Sequence, residues 1–117
     1  MPTIRDVLRA LSAREGVDAV IVLSRDGLII DAHVADGLDP DGLAALVPSV
    51  VAACSQLGAA SERGGFGMGL IECAEGMMLV AEISGDALLA MFFAPGTNVG
   101  SHLYEVQRHR PAIADLL

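Results

Sequence analysis

The stretch GVDAVIVLSRDGLII, residues Gly16–Ile30, decides the fold. Residues 17–24 are apolar at both alternating positions, which is typical of a strand at the centre of a sheet with both faces covered. Asp26-Gly27 then gives a strong signal for a tight hairpin turn. We therefore predict a central strand over residues 17–24 and an antiparallel outer strand over residues 28–34. One face of the outer strand is predicted to carry Leu28, Ile30, Ala32 and Val34, and the other face Ile29, Asp31 and His33.

Helices are predicted on both sides of this hairpin in the sequence. Thr3 and Asp6 form a capping pattern, and apolar residues follow at helical spacing, so the first helix is placed at residues 3–15. Asp39-Pro40 is typical of a helix start, and the second helix is predicted to end near residue 63. Pro48 lies well inside this second helix, where a proline removes a hydrogen bond, so we expect a kink there.

Three further strands and a last helix complete the predicted elements. Turn residues separate apolar runs at residues 66–73, 77–83 and 87–94. The run at 87–94 is apolar on both faces, like residues 17–24, so these two strands are predicted to be neighbours at the centre of the sheet. Thr97 or Asn98 can cap the last helix, and Pro111 is expected to kink or end it.

The predicted fold is an α/β sandwich with the order α-β-β-α-β-β-β-α. Short connections favour antiparallel pairing of consecutive strands, which gives a five-stranded antiparallel sheet in the order 2-1-5-4-3 with helices on both faces. A chain of 117 residues can bury one core, so residues 1–117 are predicted to form a single domain. The third strand is then an edge. It has no lysine or proline and contains two glycines, so it lacks the usual protection against pairing with another chain.

The chain is more apolar than a domain of this size needs for its own core. Hydrophobic residues make up 53% of it and charged residues only 19%. Residues 42–61 carry no charge and are long enough for a membrane span. The stretch contains Pro48 and several polar residues, however, and its upstream flank is acidic instead of basic. We therefore interpret it as a helix that is buried over most of its circumference, and we predict no membrane insertion.

The apolar second helix and the unprotected edge strand together predict a homodimer. The third strand is expected to pair with its copy, while the two second helices pack beside it. The alternative is that this helix is only a core helix of the monomer. The predicted interface residues are Leu43, Val47, Val50, Val51, Cys54, Leu57, Phe66, Met68, Gly69, Leu70 and Ile71.

The charge balance and the cysteines exclude several classes of function. Fifteen acidic residues against seven basic ones give a net charge of -8, which argues against nucleic acid and anionic membranes as partners. All seven basic residues are arginine, so a lysine-containing P-loop and Schiff-base chemistry are excluded. Cys54 and Cys73 are interpreted as buried thiols in a reducing compartment. The charged N-terminal segment argues against a signal peptide, and we predict a cytoplasmic protein.

No catalytic, cofactor-binding or metal-binding set can be assembled from the sequence. The aspartates at residues 36–41 resemble part of a calcium loop, but Pro48 stands where the loop needs glutamate, and helix capping explains Asp39. The glycines at residues 64–69 do not form a dinucleotide-binding pattern and they enter a strand. We interpret the dispersed histidines as surface residues: His33, His102 and His109.

In order and spacing, these segments resemble the roadblock / dynein light-chain domain family, in particular its bacterial MglB-like members. The resemblance covers essentially the whole chain. It is carried by Leu8 and Leu11 in the first helix, Gly16–Ile30, the Asp39–Ala60 helix, LIECAEGMMLVAEI at Leu70–Ile83, and ALLAMFFAPGTNVG at Ala87–Gly100 with its Asn98 and Gly100. The resemblance implies a profilin-like α/β/α sandwich and homodimers or heterodimers with a continuous sheet.

The resemblance also implies a function. Family members regulate small Ras-like GTPases as activators, exchange factors or scaffolds, and the MglB-like members reposition groups on the GTPase without inserting an arginine finger. We therefore expect a dimeric regulator of a small Ras-like GTPase that needs no cofactor and is not itself an enzyme. The alternative is a scaffold or adaptor for other proteins. A small-molecule sensor is a third class, and a stand-alone enzyme has the least support.

Overall fold

The computed structural model describes residues 2–117 and has the predicted order of elements. The helices and strands are α1 (Ile4–Ser12), β1 (Val17–Ser24), β2 (Ile29–Val34), α2 (Pro40–Ala60), β3 (Met68–Cys73), β4 (Gly76–Glu82), β5 (Ala87–Phe93) and α3 (Val99–Asp115). All neighbouring strands pair antiparallel, in the order β2-β1-β5-β4-β3. The predicted fold class and strand order are confirmed.

The helices cover both faces of the sheet and create two hydrophobic layers. On one face, Leu8 of α1 and Val106 of α3 pack against β1, β4 and β5, and we call this the α1/α3 layer. On the other face, Val47 and Val51 of α2 pack against the same three strands, and we call this the α2 layer. Five of the eight residues of β1 and six of the seven residues of β5 are buried. The two strands that are apolar on both faces are neighbours inside the sheet, as predicted.

The helix boundaries follow from local hydrogen bonds. In the predicted capping box of α1, the Thr3 N–H donates to the Asp6 carboxylate at 2.9 Å and the Asp6 N–H donates to Thr3 Oγ1 at 3.2 Å. These hydrogen bonds hold the pKa of Asp6 below its usual value. Helices α1 and α2 end about three residues earlier than predicted, at Ser12 and Ala60. Helix α3 does not end at Pro111, since this exposed proline interrupts the hydrogen bonds only on the solvent side.

Strand β2 does not alternate as the sequence pattern predicts. Its register with β1 shifts at Ile30, which has no pairing partner of its own, so the strand contains a bulge. Because a bulge inverts the alternation, Ile29 packs in the α2 layer together with Ala32, while Ile30 is exposed. The prediction that Leu28 and Ile30 share a face with Ala32 is therefore wrong.

Three side chains have a different solvent exposure from the one that the sequence predicts. Cys54 is half-buried and Cys73 is exposed, so both thiols are free as predicted but neither is buried. His102 was predicted on the surface, yet only 4% of it is exposed. Its Nε2 lies 3.1 Å from the Glu15 carbonyl oxygen, and its ring lies 4.9 Å from that of Phe93, because α3 turns this position towards the sheet.

Gly16 allows the segment after α1 to approach the start of α3. Its φ is +81°, and an added Cβ would overlap the side chain of Thr97, whereas Gly37 has φ +93° with nothing within 4 Å. We expect Gly37→Ala to lower the free energy of unfolding by about 1–2 kcal/mol, the cost of the left-handed backbone alone. Gly16→Ala should lower the free energy of unfolding by about 1–3 kcal/mol more than Gly37→Ala, because the overlap with the Thr97 side chain adds to the backbone cost. Equal losses in urea unfolding would contradict this account.

Candidate protein–protein interface

Helix α2 contacts the sheet with only one narrow side. Ala44, Val47 and Val51 are buried, but Leu46 and Leu57 are 69% and 71% exposed. The interpretation of α2 as a helix buried over most of its circumference is therefore wrong for the single chain. By length and composition alone α2 could cross a membrane, yet in this structure it forms one layer of the sandwich.

The outward side of α2 carries an uncharged apolar surface. Its members recur at alternating intervals of three and four residues, the spacing with which one helix packs along another. We call this surface the α2 stripe, and its residues are Leu43, Leu46, Val50, Ala53 and Leu57. Half-buried Cys54 borders it. Since residues 42–61 contain no charged side chain, nothing in this segment opposes contact with another apolar surface.

The free edge of β3 is the second part of the candidate interface. Within residues 2–117, β3 pairs with β4 alone. The Glu82 N–H donates to the Gly67 carbonyl oxygen at 2.9 Å, which sets the phase of the hydrogen bonds along this pair. The odd-numbered residues of β3 therefore bond to β4, and the backbone groups of Met68, Leu70 and Glu72 point to the open edge. They are available to a strand from another chain.

The side chains of β3 alternate between the two layers. Met68 packs in the α1/α3 layer and Ile71 in the α2 layer. Phe66 was predicted to begin the strand on the same face as Met68, but β3 begins at Met68, and Phe66 packs in the α2 layer. Its ring covers Gly69, where an added Cβ would lie 3.5 Å from the ring. The predicted facing of Phe66 is wrong because the chain is not regular strand before Met68.

The structure divides the eleven predicted interface residues by burial. Val47 and Val51 lie in the core beneath α2 and are enclosed by their own chain. The half-buried members are Leu43, Val50, Cys54, Phe66, Met68, Gly69 and Ile71, and the exposed ones are Leu57 and Leu70. The sequence prediction left out Leu46 and Ala53, which are both exposed. The alternating three- and four-residue spacing from Leu43 is the signal that could have found them.

A polar cavity lies between the end of α1 and the start of α3. It has a volume of about 740 Å³ and is lined in part by Arg14, Thr97, Asn98, Ser101 and His102. Among the residues that the structure describes, no group of three His, Cys, Asp or Glu side chains could hold a metal ion. The uncharged α2 stripe and the open backbone of β3 are instead features of a surface that contacts another protein.

The chain is therefore an α/β/α sandwich with a helix face and a sheet edge open to a protein partner. The sequence profile of the Roadblock/LC7 domain matches residues 3–93, and the chain belongs to this family. Roadblock/LC7 domains are generally adaptors without catalytic activity of their own. The chain is accordingly an adaptor or regulator-type domain.

Solved structures share this fold at low sequence identity. A structure described as MglB with tetrameric arrangement has a TM-score of 0.86 and 22% identity, and the match covers 97% of this chain and 86% of that one. Myxococcus xanthus MglB has a TM-score of 0.87 and 18% identity, and the match covers 97% of this chain and 93% of that one. A Roadblock/LC7 domain from Streptomyces avermitilis has a TM-score of 0.79 and 21% identity, and the match covers 92% of this chain and 94% of that one. Comparison with curated protein sequences gave no match.

The two sides of α2 should respond differently to the same substitution. Val51 is 1% exposed, so Val51→Arg places an unpaired charge in the core and should lower the free energy of unfolding by more than about 3 kcal/mol. Leu46 is 69% exposed, and Leu46→Arg should change the free energy of unfolding by less than about 0.5 kcal/mol. Urea unfolding at a protein concentration where both variants are monomeric tests this difference. Similar losses in the two variants would contradict the orientation of α2.

Proposed function

We propose that this chain forms a cytoplasmic homodimer through the α2 stripe and the β3 edge, and that the dimer regulates a small Ras-like GTPase. The observation that carries the proposal is an uncharged apolar helix face exposed on the same molecule as an unpaired strand edge. Leu46 and Leu57 are both more than two-thirds exposed. Burying a leucine side chain contributes about 1.5–3 kcal/mol, so contact between two stripes is favourable.

The strand edge adds hydrogen bonds and direction to this contact. The backbone groups of Met68, Leu70 and Glu72 bond to water in the single chain, and a copy of β3 can take the place of that water. The two sheets then become continuous. Phe66 and Ile71 pack in the α2 layer beside this edge, so a second copy that pairs with β3 also brings its own α2 layer close to the first.

The family and the charges of the chain support action on a GTPase. The chain belongs to the Roadblock/LC7 family, and it has no lysine with which a P-loop could bind phosphate. Its net charge of -8 favours a partner with a basic surface and disfavours the nucleotide itself as a ligand. The effect on hydrolysis would then come from repositioning the GTPase's own groups, since phosphoryl transfer depends on positioning and electrostatics.

A scaffold without kinetic effect is the alternative, and one observation favours it. Leu28 and Ile30, at the other edge of the sheet, are 70% and 45% exposed. They would give the dimer a second apolar contact, remote in the strand order from β3. A protein that joins two partners needs two such surfaces.

The dimer interface can be tested by placing a charge in the α2 stripe. Leu46→Glu and Leu57→Glu should each weaken dimerisation at least about tenfold, because an unpaired carboxylate would be buried between the helices. Leu28→Glu is the matched control, since Leu28 is as exposed as Leu57 but lies outside the stripe, and it should remain dimeric. Sedimentation velocity over a dilution series measures this. A wild-type chain that is monomeric at high concentration would refute the dimer.

The GTPase proposal can be tested with small Ras-like GTPases from the same genome. The wild-type chain should bind one of them differently in its GTP-analogue and GDP forms, and should change its rate of hydrolysis or nucleotide exchange. Leu46→Glu should lose this effect together with the dimer, while Leu28→Glu keeps it. Binding that ignores the nucleotide and changes neither rate would favour the scaffold, and no binding at all would refute the GTPase role.

A further inference from the structure

Arg110 of α3 has no ion-pair partner in the described part of its own chain. Its side chain is half-buried, and its Nε is buried without a hydrogen-bond partner. Its Nη1 lies 3.9 Å from the position that a Cβ on Gly67 would occupy, so the guanidinium group lies beside the start of β3. Glu105 of α3 and Glu82 of β4 already have partners, since Glu105 contacts His109 and Glu82 contacts Arg25. An arginine at an open sheet edge is thus left with unused donors.

Glu72 carries the complementary charge on the same edge. It is exposed and forms no ion pair among residues 2–117. Because side chains alternate along a strand, Glu72 lies on the same face of β3 as Met68, which packs in the α1/α3 layer. Arg110 belongs to α3, one of the two helices on that face. Glu72 lies five positions after Gly67, about 16 Å along the strand, so it does not reach Arg110 of its own chain.

The phase of the backbone hydrogen bonds favours one register for two copies of β3. The outward-pointing residues are Met68, Leu70 and Glu72, and a two-fold axis at Leu70 places all three opposite an outward-pointing residue of the copy. An axis at Gly69 or Ile71 leaves one of the three opposite a residue outside β3. With the axis at Leu70, Met68 faces Glu72 of the partner subunit on the α1/α3 face.

We propose that Arg110 forms an ion pair with Glu72 of the partner subunit, and that this pair fixes the register of the dimer. The inference rests on the proposed homodimer and adds its register and its charged contact. The two-fold axis creates two such pairs, one on each side of the leucine pair at residue 70. A shift of register breaks both pairs and leaves charges unpaired at the contact, which disfavours the wrong alignment. A related chain without an acidic residue at the position of Glu72 is also disfavoured as a partner, because Arg110 would then stay unpaired at the contact.

Charge reversal tests the ion pair. Arg110→Glu and Glu72→Arg should each raise the dimer Kd at least about tenfold, because like charges then meet across the interface. The double variant should return the Kd to within about threefold of the wild type, since the pair is restored in the opposite sense. Arg108→Glu is the matched control, because Arg108 is an exposed arginine on the same helix, and it should leave the Kd unchanged. Circular dichroism of the dilute monomers checks that each variant is folded.

Cysteine cross-linking tests the register independently of charge. In a Cys54→Ala, Cys73→Ser background that still dimerises, Leu70→Cys should form a disulfide-linked dimer rapidly, because the two residues lie about 5.5 Å apart across the axis. Met68→Cys and Glu72→Cys should each cross-link slowly with themselves, since their copies lie about 13 Å apart along the strand. A mixture of these two variants should cross-link.

The outcomes separate this inference from the proposed dimer. If the wild type is dimeric but the double reversal restores nothing, or if cross-linking at residue 70 is no faster than at residues 68 and 72, the ion pair and the register are refuted and the dimer stands. If the wild type is monomeric, both are refuted.

Discussion

The pairing of β1 with β5 is the constraint on which the rest of the structure depends. Both strands are apolar on both faces, and their pairing from Ala19 opposite Phe92 to Ser24 opposite Ala87 places a buried ribbon at the centre of the sheet. Each face of that ribbon must be covered by helices. The hairpins to β2 and β4 then occupy its two sides, so β3 can pair only outside β4. The open edge of β3 is thus a consequence of the central pair.

The two faces of the sheet are covered unequally. The axes of five strands about 4.8 Å apart span about 19 Å, and a helix with its side chains is about 10–12 Å wide. Two helices, α1 and α3, cover one face, whereas α2 alone covers the other. A helix that must cover this face by itself buries only Ala44, Val47 and Val51, and much of its remaining surface stays apolar and open. A second α2 from another chain is the element that would complete this layer.

The sequence predicted the topology because the deciding signals are local. Two-sided apolar runs identified the central strands, and turn residues such as Asp26-Gly27 identified the connections. The bulge at Ile30 and the facing of Phe66 were missed, since packing in the α2 layer decides both. In the candidate interface, α2 is apolar on two sides, so its sequence alone does not separate buried Val47 from exposed Leu46. Only the position of the sheet makes that distinction.

The distribution of charge favours one specific alignment of two copies of the chain. The chain carries a net charge of -8, yet residues 42–61 contribute nothing to it, so the repulsion between two copies acts away from the α2 stripe. An apolar stripe alone would allow many alignments, because apolar contacts have little directional preference. The hydrogen-bonding phase of β3 reduces these alignments to a few. The placement of Arg110 and Glu72 at opposite ends of the strand, on one face, then favours a single alignment, since only there do both charges find a partner.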